Sequence, residues 1–458
     1  MRRTLAIAVI AVRNAVRSRL FTSLLLLALL AVIGLPLTIE GDGTLRGYTT
    51  VLLSYTMGAV FILLSVSTAW AACASMSVEL GNRRMDLVVT KPIHPLQIWL
   101  GKWLGIMALN AVLLAAAGAA TYALLQWKAR SVVKPEERRV LDHEIMVTRE
   151  FVWADDEPIE ARARQELARL TREGKLPPNV PPAAALTEIR SQLLAASRSV
   201  PPGGVRHWVF RLAHPPRRSE EIRLRFKLAS SRQVENTPAA YRWETARDSN
   251  GSRWSQSGII APNAVREIAI PRSLIGNDRT LALDFVNTET KVPATLMLYP
   301  EAGPVLLVPW DRIEWNLLRA LGIVFCFLGF FAAIGLTSGA LFSLPVSVFV
   351  SFAAMLVLSL SGYMHTVVTT GVFYVPHEGG MPEASAVDHA IMGLFKALHL
   401  VLGPVTRFEC VAPLSEGRLI PWATLGQAFA FLVVLGGGLL WVGGATVLRR
   451  REIGAVSE

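Results

Sequence analysis

Apolar residues run in long unbroken blocks at both ends of the chain, and a polar stretch separates the two sets of blocks. A helix crosses the hydrocarbon core of a bilayer with about 20 apolar residues. Residues 20–39, 47–78 and 103–127 each reach that length without Asp, Glu, Lys or Arg. Residues 320–376 also lack these four types and are long enough for two spans, with the turn at 335–345, GLTSGALFSLP. Residues 419–448 form the last block. The pattern predicts an α-helical polytopic membrane protein with six transmembrane helices, three on each side of the polar stretch.

The polar stretch, residues 128–314, is rich in Arg and Pro and long enough for a domain of its own. Its first half predicts a strand at 143–153 and helices at 157–173 and 184–197, with Gly174 as a C-cap and the connector LPPNVPP between them. Its second half alternates polar and apolar residues at 223–228, 265–270 and 280–286, between short turn clusters. That is the pattern of a β-rich, sandwich-like domain inserted between the third and fourth spans.

One hairpin is specified in detail. Residues 241–247 and 252–258 flank Asp248-Ser249-Asn250-Gly251, which carries the Asn-Gly turn signal. If Arg247 pairs with Ser252, Thr245 faces Trp254, and Tyr241, Trp243 and Trp254 share one face. These three aromatics are candidate substrate contacts, through stacking on sugars or lipid. The core of a sandwich is the plainer account of the same alternation.

Charge sets the orientation. The net charge is +11. Much of it flanks the spans: Arg2, Arg3, Arg13, Arg17 and Arg19 before the first, Arg83, Arg84, Lys91 and Lys102 between the second and third, and Arg449, Arg450 and Arg451 after the last. Cytoplasmic flanks hold this excess, and six spans put all three clusters and both termini in the cytoplasm. The charge is therefore not a nucleic-acid signal. Residues 1–19 read as an amphipathic leading helix at the inner surface, touching membrane lipids, and not as a cleaved signal peptide. The remaining divisions are 20–127, with the first three spans and a charged cytoplasmic loop at 77–102; 128–314, the extracytoplasmic domain; 315–364, the fourth and fifth spans; 365–420, an outer segment with an interfacial helix at 386–402; and 421–458, the sixth span and a basic tail.

Candidate chemistry is sparse. Gly101-Lys102 and Gly174-Lys175 both fail the phosphate-loop pattern, because Leu96 and Trp103 stand where Gly and Ser or Thr are needed, and Leu176 follows Lys175. The chain thus has no nucleotide-binding site of its own. No GxSxG elbow occurs, so no enzyme activity is expected. His365, His377, His389 and His399 cluster near Glu378, Glu383 and Asp388, but without the close spacing of a metal motif, and no metal is expected. Cys73 and Cys326 fall in spans and Cys410 lies alone outside, so no disulfide is expected and Cys410 reads as a buried thiol. Arg319, near the start of the fourth span, is expected to snorkel to the interface. Gly101 and Gly105 are four apart, a spacing that lets helices approach closely, within the subunit or between copies.

Three features together resemble a known family. The first is the Arg-rich amphipathic lead, AVRNAVRSRLF. The second is the loop with Glu79, Arg83-Arg84, Leu87-Val88 and Lys91-Pro92 leading to Gly101-Lys102. The third is Gly403-Pro404 with Arg407-Phe408-Glu409, then a final span ending in RRREIG. In order and spacing they resemble the type-2 ABC transporter permeases, the membrane subunits of ABC exporters. The resemblance covers the membrane part and leaves out residues 128–314, a large insertion compared with the plainest members. It implies an ABC ATPase subunit as partner, a second permease subunit (homodimer or heterodimer), ATP bound only through the ATPase, and residence in the bacterial cytoplasmic (inner) membrane. It also implies ATPase-coupling roles for Glu79, Arg83, Arg84, Asp86, Pro92, Gly101 and Lys102. Glu79, Arg83, Arg84 and Asp86 would make salt bridges to the ATPase, Pro92 would turn the chain, and Lys102 would anchor the third span at the inner headgroups. The competing reading is a membrane-anchored extracytoplasmic binding or assembly module without transport.

Overall fold

A computed structural model describes residues 2–17, 45–81, 94–130, 145–155, 159–176, 182–214, 221–231, 238–245, 254–261, 263–289, 293–299, 303–360, 393–398, 403–405 and 407–450, with isolated positions at 23, 26, 27, 30, 34 and 138. Two compact units result. One joins 1–147, 312–365 and 390–458, and the other joins 148–311 and 366–389.

The first unit is helical: α1 (Arg2–Arg17), α2 (Leu45–Gly81), α3 (Pro95–Arg130), and the later helices below. The second unit contributes α4 (Ile159–Arg172) and α5 (Pro182–Arg198). The helical unit resumes with α6 (Ile313–Leu341), α7 (Leu344–Ser359), the short α8 (Val411–Ser415) and the last helix, α9, which runs from Trp422 to Arg450. Among the described residues four helices are long and apolar enough to cross a membrane: α2, α3, α6 and α9. They coincide with the second, third, fourth and sixth expected spans. The first expected span falls almost wholly outside the described residues. The fifth corresponds to α7, a shorter apolar helix that follows α6 after Phe342 and Ser343.

The charged segment between the second and third spans is shorter than its hydropathy suggests. α2 continues to Gly81 and α3 already begins at Pro95. Glu79, Gly101 and Lys102 therefore sit on helices. Pro95 suits a first helical position, where its missing N–H costs no hydrogen bond. Arg83, Arg84, Asp86 and Pro92 lie outside the described residues. Within α9 the residues Phe429–Gly437 adopt the wider π-helical turn, ending in the Gly436-Gly437-Gly438 run. Such turns interrupt α-helices in short pieces.

The second unit is β-rich. Its strands are β1 (Val147–Trp153), β2 (Ser199–Val200), β3 (Val205–Arg211), β4 (Ile222–Ser230), β5 (Ala239–Glu244), β6 (Ser255–Ile260), β7 (Val265–Ile270), β8 (Thr280–Asn287), β9 (Leu296–Leu298) and β10 (Val305–Arg312). One sheet runs β1-β10-β4-β9-β2 with β7 also paired to β4, and the other runs β3-β8-β5-β6. Phe226 of the first sheet meets Tyr241 and Trp243 of the second at 5.1 and 5.4 Å between ring centroids, so the sheets enclose one core. α4 ends as its sequence predicts. Gly174 takes φ +62°, its N–H bonds the carbonyl of Thr171, and the N–H of Lys175 bonds that of Leu170, which is a Schellman cap. β10 has no counterpart in the alternation pattern, because Val305–Pro309 is buried on both faces and reads as a continuous apolar run.

Candidate functional site

The first turns of α3 are where most of the helical unit meets. Lys102 is 3% exposed, and its Nζ lies 2.6 Å from Oε2 of Glu79 on α2. It also donates to the backbone carbonyl of Ser75 and, at 3.3 Å, to the Ser75 hydroxyl. The ammonium is thus wrapped by the last turns of α2 and does not reach outward to headgroups, which corrects the anchoring role expected for it. Two turns further along α3, Asn110 Nδ2 donates to Thr68 Oγ1 at 2.9 Å, a second polar tie to α2.

The adjoining face of α3 carries Gly101 and Gly105. A Cβ on Gly101 would fall 2.8 Å from Cβ of Ile7, and one on Gly105 would fall 2.5 Å from the carbonyl oxygen of Ala8. These glycines seat α1, whose Thr4, Ile7, Ala8 and Ala11 line the contact. Of the two partners expected for this glycine face, the structure shows the one within the subunit. The remaining faces of α3 meet the later helices. Trp103 Nε1 donates to the carbonyl of Gly329 on α6 at 2.8 Å, and Trp441 Nε1 on α9 donates to the carbonyl of Leu96 at 3.1 Å. The start of α3 therefore touches α1, α2, α6 and α9.

A second polar seam joins α2 to the α6–α7 pair. Ser338 and Ser351 are bonded at 2.9 Å, Cys73 Sγ lies 3.2 Å from Ser351 Oγ, and Ser77 contacts Ser347 at 3.2 Å and the carbonyl of Gly339 at 3.1 Å. Small polar side chains of this kind let membrane helices pack closely while satisfying one another.

Arg319 does not snorkel. It is 1% exposed, donates from Nε to the carbonyl of Trp315 at 3.0 Å, and sits over the ring of Trp422 at 5.1 Å. Trp315 and Trp422 are themselves exposed, as aromatic residues at a membrane interface are. Asn316 is buried beside them, accepting the N–H of Ile420 and donating to the carbonyl of Arg418.

In the β-rich unit the described part of the hairpin has the expected register, with Thr245 opposite Trp254. Glu244 pairs with Ser255, and Thr245 N–H bonds the carbonyl of Trp254. Tyr241 and Trp243 are buried in the core between the sheets, and Trp254 is half-buried against it. Their alternation is that of packing, and they do not form an open aromatic surface. Burial pushes the Tyr241 hydroxyl above its ordinary range.

His365, His377, His389 and His399 lie outside the described residues. Among the described residues no three His, Cys, Asp or Glu side chains converge as metal ligands. Cys410 is buried, and desolvation pushes its thiol up to about 12. Little thiolate forms at neutral pH, so it is a poor nucleophile. Sequence reasoning missed Thr68, Ser75 and Asn110. The available signal was their position on apolar helices, where a polar side chain needs a partner.

Comparison with known proteins found no matching family model, curated relative or solved structure.

Proposed function

We propose that this chain is the permease subunit of an ABC-type transporter, moving a substrate across or out of the bacterial inner membrane with ATP hydrolysed by a separate ATPase subunit. In this reading the helical unit has six spans with both termini in the cytoplasm, and the β-rich unit is a sandwich-like extracytoplasmic domain. A second permease subunit, identical or not, completes the membrane part. The observation that carries the reading is the packing around the start of α3, which residues 82–93 precede in the chain. This segment joins α2 directly to the start of α3, where α1, α2, α6 and α9 all make contact. A soluble partner that moves the start of α3 acts on every long described helix of the unit. Arg83, Arg84 and Asp86 supply the charges such a partner would grip.

The test is purification of the full chain from its native membrane in mild detergent. An ATPase subunit is expected to accompany it, and Arg83→Glu with Arg84→Glu is expected to lower that association at least tenfold. A chain that carries no ATPase, and whose function survives the double substitution, is a membrane-anchored binding module instead. The β-rich unit, with a core of its own, is the observation favouring that second reading.

A further inference from the structure

Glu79 and Lys102 bracket the 82–93 segment in the chain, one within the last turn of α2 and the other two turns after α3 begins. The coupling reading assigns such charges to contact with a partner. Their geometry gives them to each other. The Lys102–Glu79 distance of 2.6 Å is that of a direct charge-assisted hydrogen bond, and Lys102 also takes both oxygens of Ser75. With Lys102 3% exposed, its ammonium is buried within the chain, out of a partner's reach. Glu79 is partly exposed, but the lysine lies deep between two apolar helices, and separating the pair leaves its buried charge uncompensated, so the pair holds one arrangement.

We propose that Glu79 and Lys102 form a latch that fixes the spacing of α2 and α3 at the base of the 82–93 segment, so that the two helices move as one body, with α1 carried along. Lys102 is thus a positioning residue and not a contact of the ATPase, and Glu79, whose side chain is 23% exposed, serves the latch from its partly open end. Three observations make the unit rigid on both sides of α3. The latch closes the α2 side at one level and the Asn110–Thr68 pair closes it two turns further on. On the adjoining side Gly101 and Gly105 hold α1 with no space for a single added carbon. A force entering through the segment cannot splay α2 from α3 without parting the buried Lys102 ammonium from Glu79, so it is passed on through Trp103 and Trp441 to α6 and α9. The role of the latch in transmission rests on the permease reading; the latch itself does not.

The experiment measures the α2–α3 distance in the full chain with spin labels at Val78→Cys and Leu104→Cys, both on exposed positions. The wild-type pair is expected to give one narrow distance population. Glu79→Gln or Lys102→Met alone leaves a lone charge and is expected to broaden it or to lower the yield of folded protein. The double variant Glu79→Gln with Lys102→Met removes both charges and keeps the test open if the singles do not fold. In it the distribution is expected to widen at least twofold, and an equally narrow one overturns the latch.

With the ATPase bound, the wild-type distance is expected to stay fixed between the nucleotide-free and vanadate-trapped states, while the double variant shows a nucleotide-dependent change. A packing role alone does not produce that difference. A wild-type distance that shifts on trapping overturns the one-body movement. If no ATPase associates, the permease reading fails, and the nucleotide-free distances still decide the latch.

Discussion

Along β4 and β8 every second residue turns inward, and the inward set is Ile222, Leu224, Phe226 and Leu228 on one and Leu281, Leu283, Phe285 and, at the strand's end, Asn287 on the other. Along α2 and α3 the residues turned inward include Thr56, Thr68, Lys102 and Asn110, while Ile62 and Val112 face out. Placing the long apolar helices in lipid and the β-rich unit in water accounts for the difference. In water, burial is driven by removing apolar area, so along these strands hydrophobic position and buried position coincide except at Asn287. In lipid both sides of a helix are equally apolar, and there is no such drive to choose a face. Small and polar residues choose it. Gly335 and Gly339 lie on the α2 face of α6, where an added Cβ would meet Cβ of Ala72 at 2.7 Å and the carbonyl of Cys73 at 3.0 Å.

The sharpest way to break this comparison is in the β-rich core. Trp243 is fully buried and packs on Phe226 and Phe285. Trp243→Ala is expected to cost about 3–5 kcal/mol, the range for aromatic truncation in a water-facing fold's core. Hydrogen exchange on the full chain reads this as lost protection in β5 and β8. A cost under about 1 kcal/mol would return Trp243 to the candidate ligand contacts and weaken the packing account.

The same contrast explains what was legible in the sequence. The hairpin register followed from the four-residue turn cluster at 248–251 and the alternation around it, because in a half-buried strand one slip exposes the whole core face. β10 was not legible, since a strand buried on both faces has no alternation to read. In the helical unit hydropathy located α2, α3, α6 and α9 but misjudged their ends. The apolar run of α2 stops at Val78, yet the helix goes on past Glu79, and α3 begins before Lys102. Hydropathy counts each charge as a boundary. Two opposite charges facing each other across helices cancel that signal, and only the pairing shows it. Arg319 failed for the same reason, as an arginine held over Trp422 has no need to reach water.

Two asparagines put the difference between the media on one scale. Asn287 is fully buried in the β-rich unit, where its Nδ2 donates to the carbonyls of Val200 and Ala294 at 2.9 and 2.8 Å and its Oδ1 accepts the N–H of Glu289 at 3.1 Å. Asn287→Ala strands backbone groups inside a fold whose unfolded state is hydrated. It is expected to cost roughly 1–3 kcal/mol or more, as several buried groups lose a partner at once. Loss of protection at the 293–299 and 199–200 amides in the full chain is the measurement.

Asn110 is as deeply buried and bonds Thr68 in both directions, at 2.9 and 3.1 Å. Asn110→Ala is nevertheless expected to cost only about 0.6 kcal/mol, and about 1.7 at most. In a membrane the separated helices find other partners for a freed hydroxyl, and Thr68 can turn to the backbone of its own helix as Thr56 and Thr121 do. Unfolding of the full chain in mixed micelles, with rising fractions of a denaturing detergent, gives the comparison. If Asn110→Ala costs more than Asn287→Ala, the medium is not what sets the scale. Asn110 would then belong with Lys102 among the groups that hold α2 and α3 together for transmission, and no longer among those that merely satisfy each other.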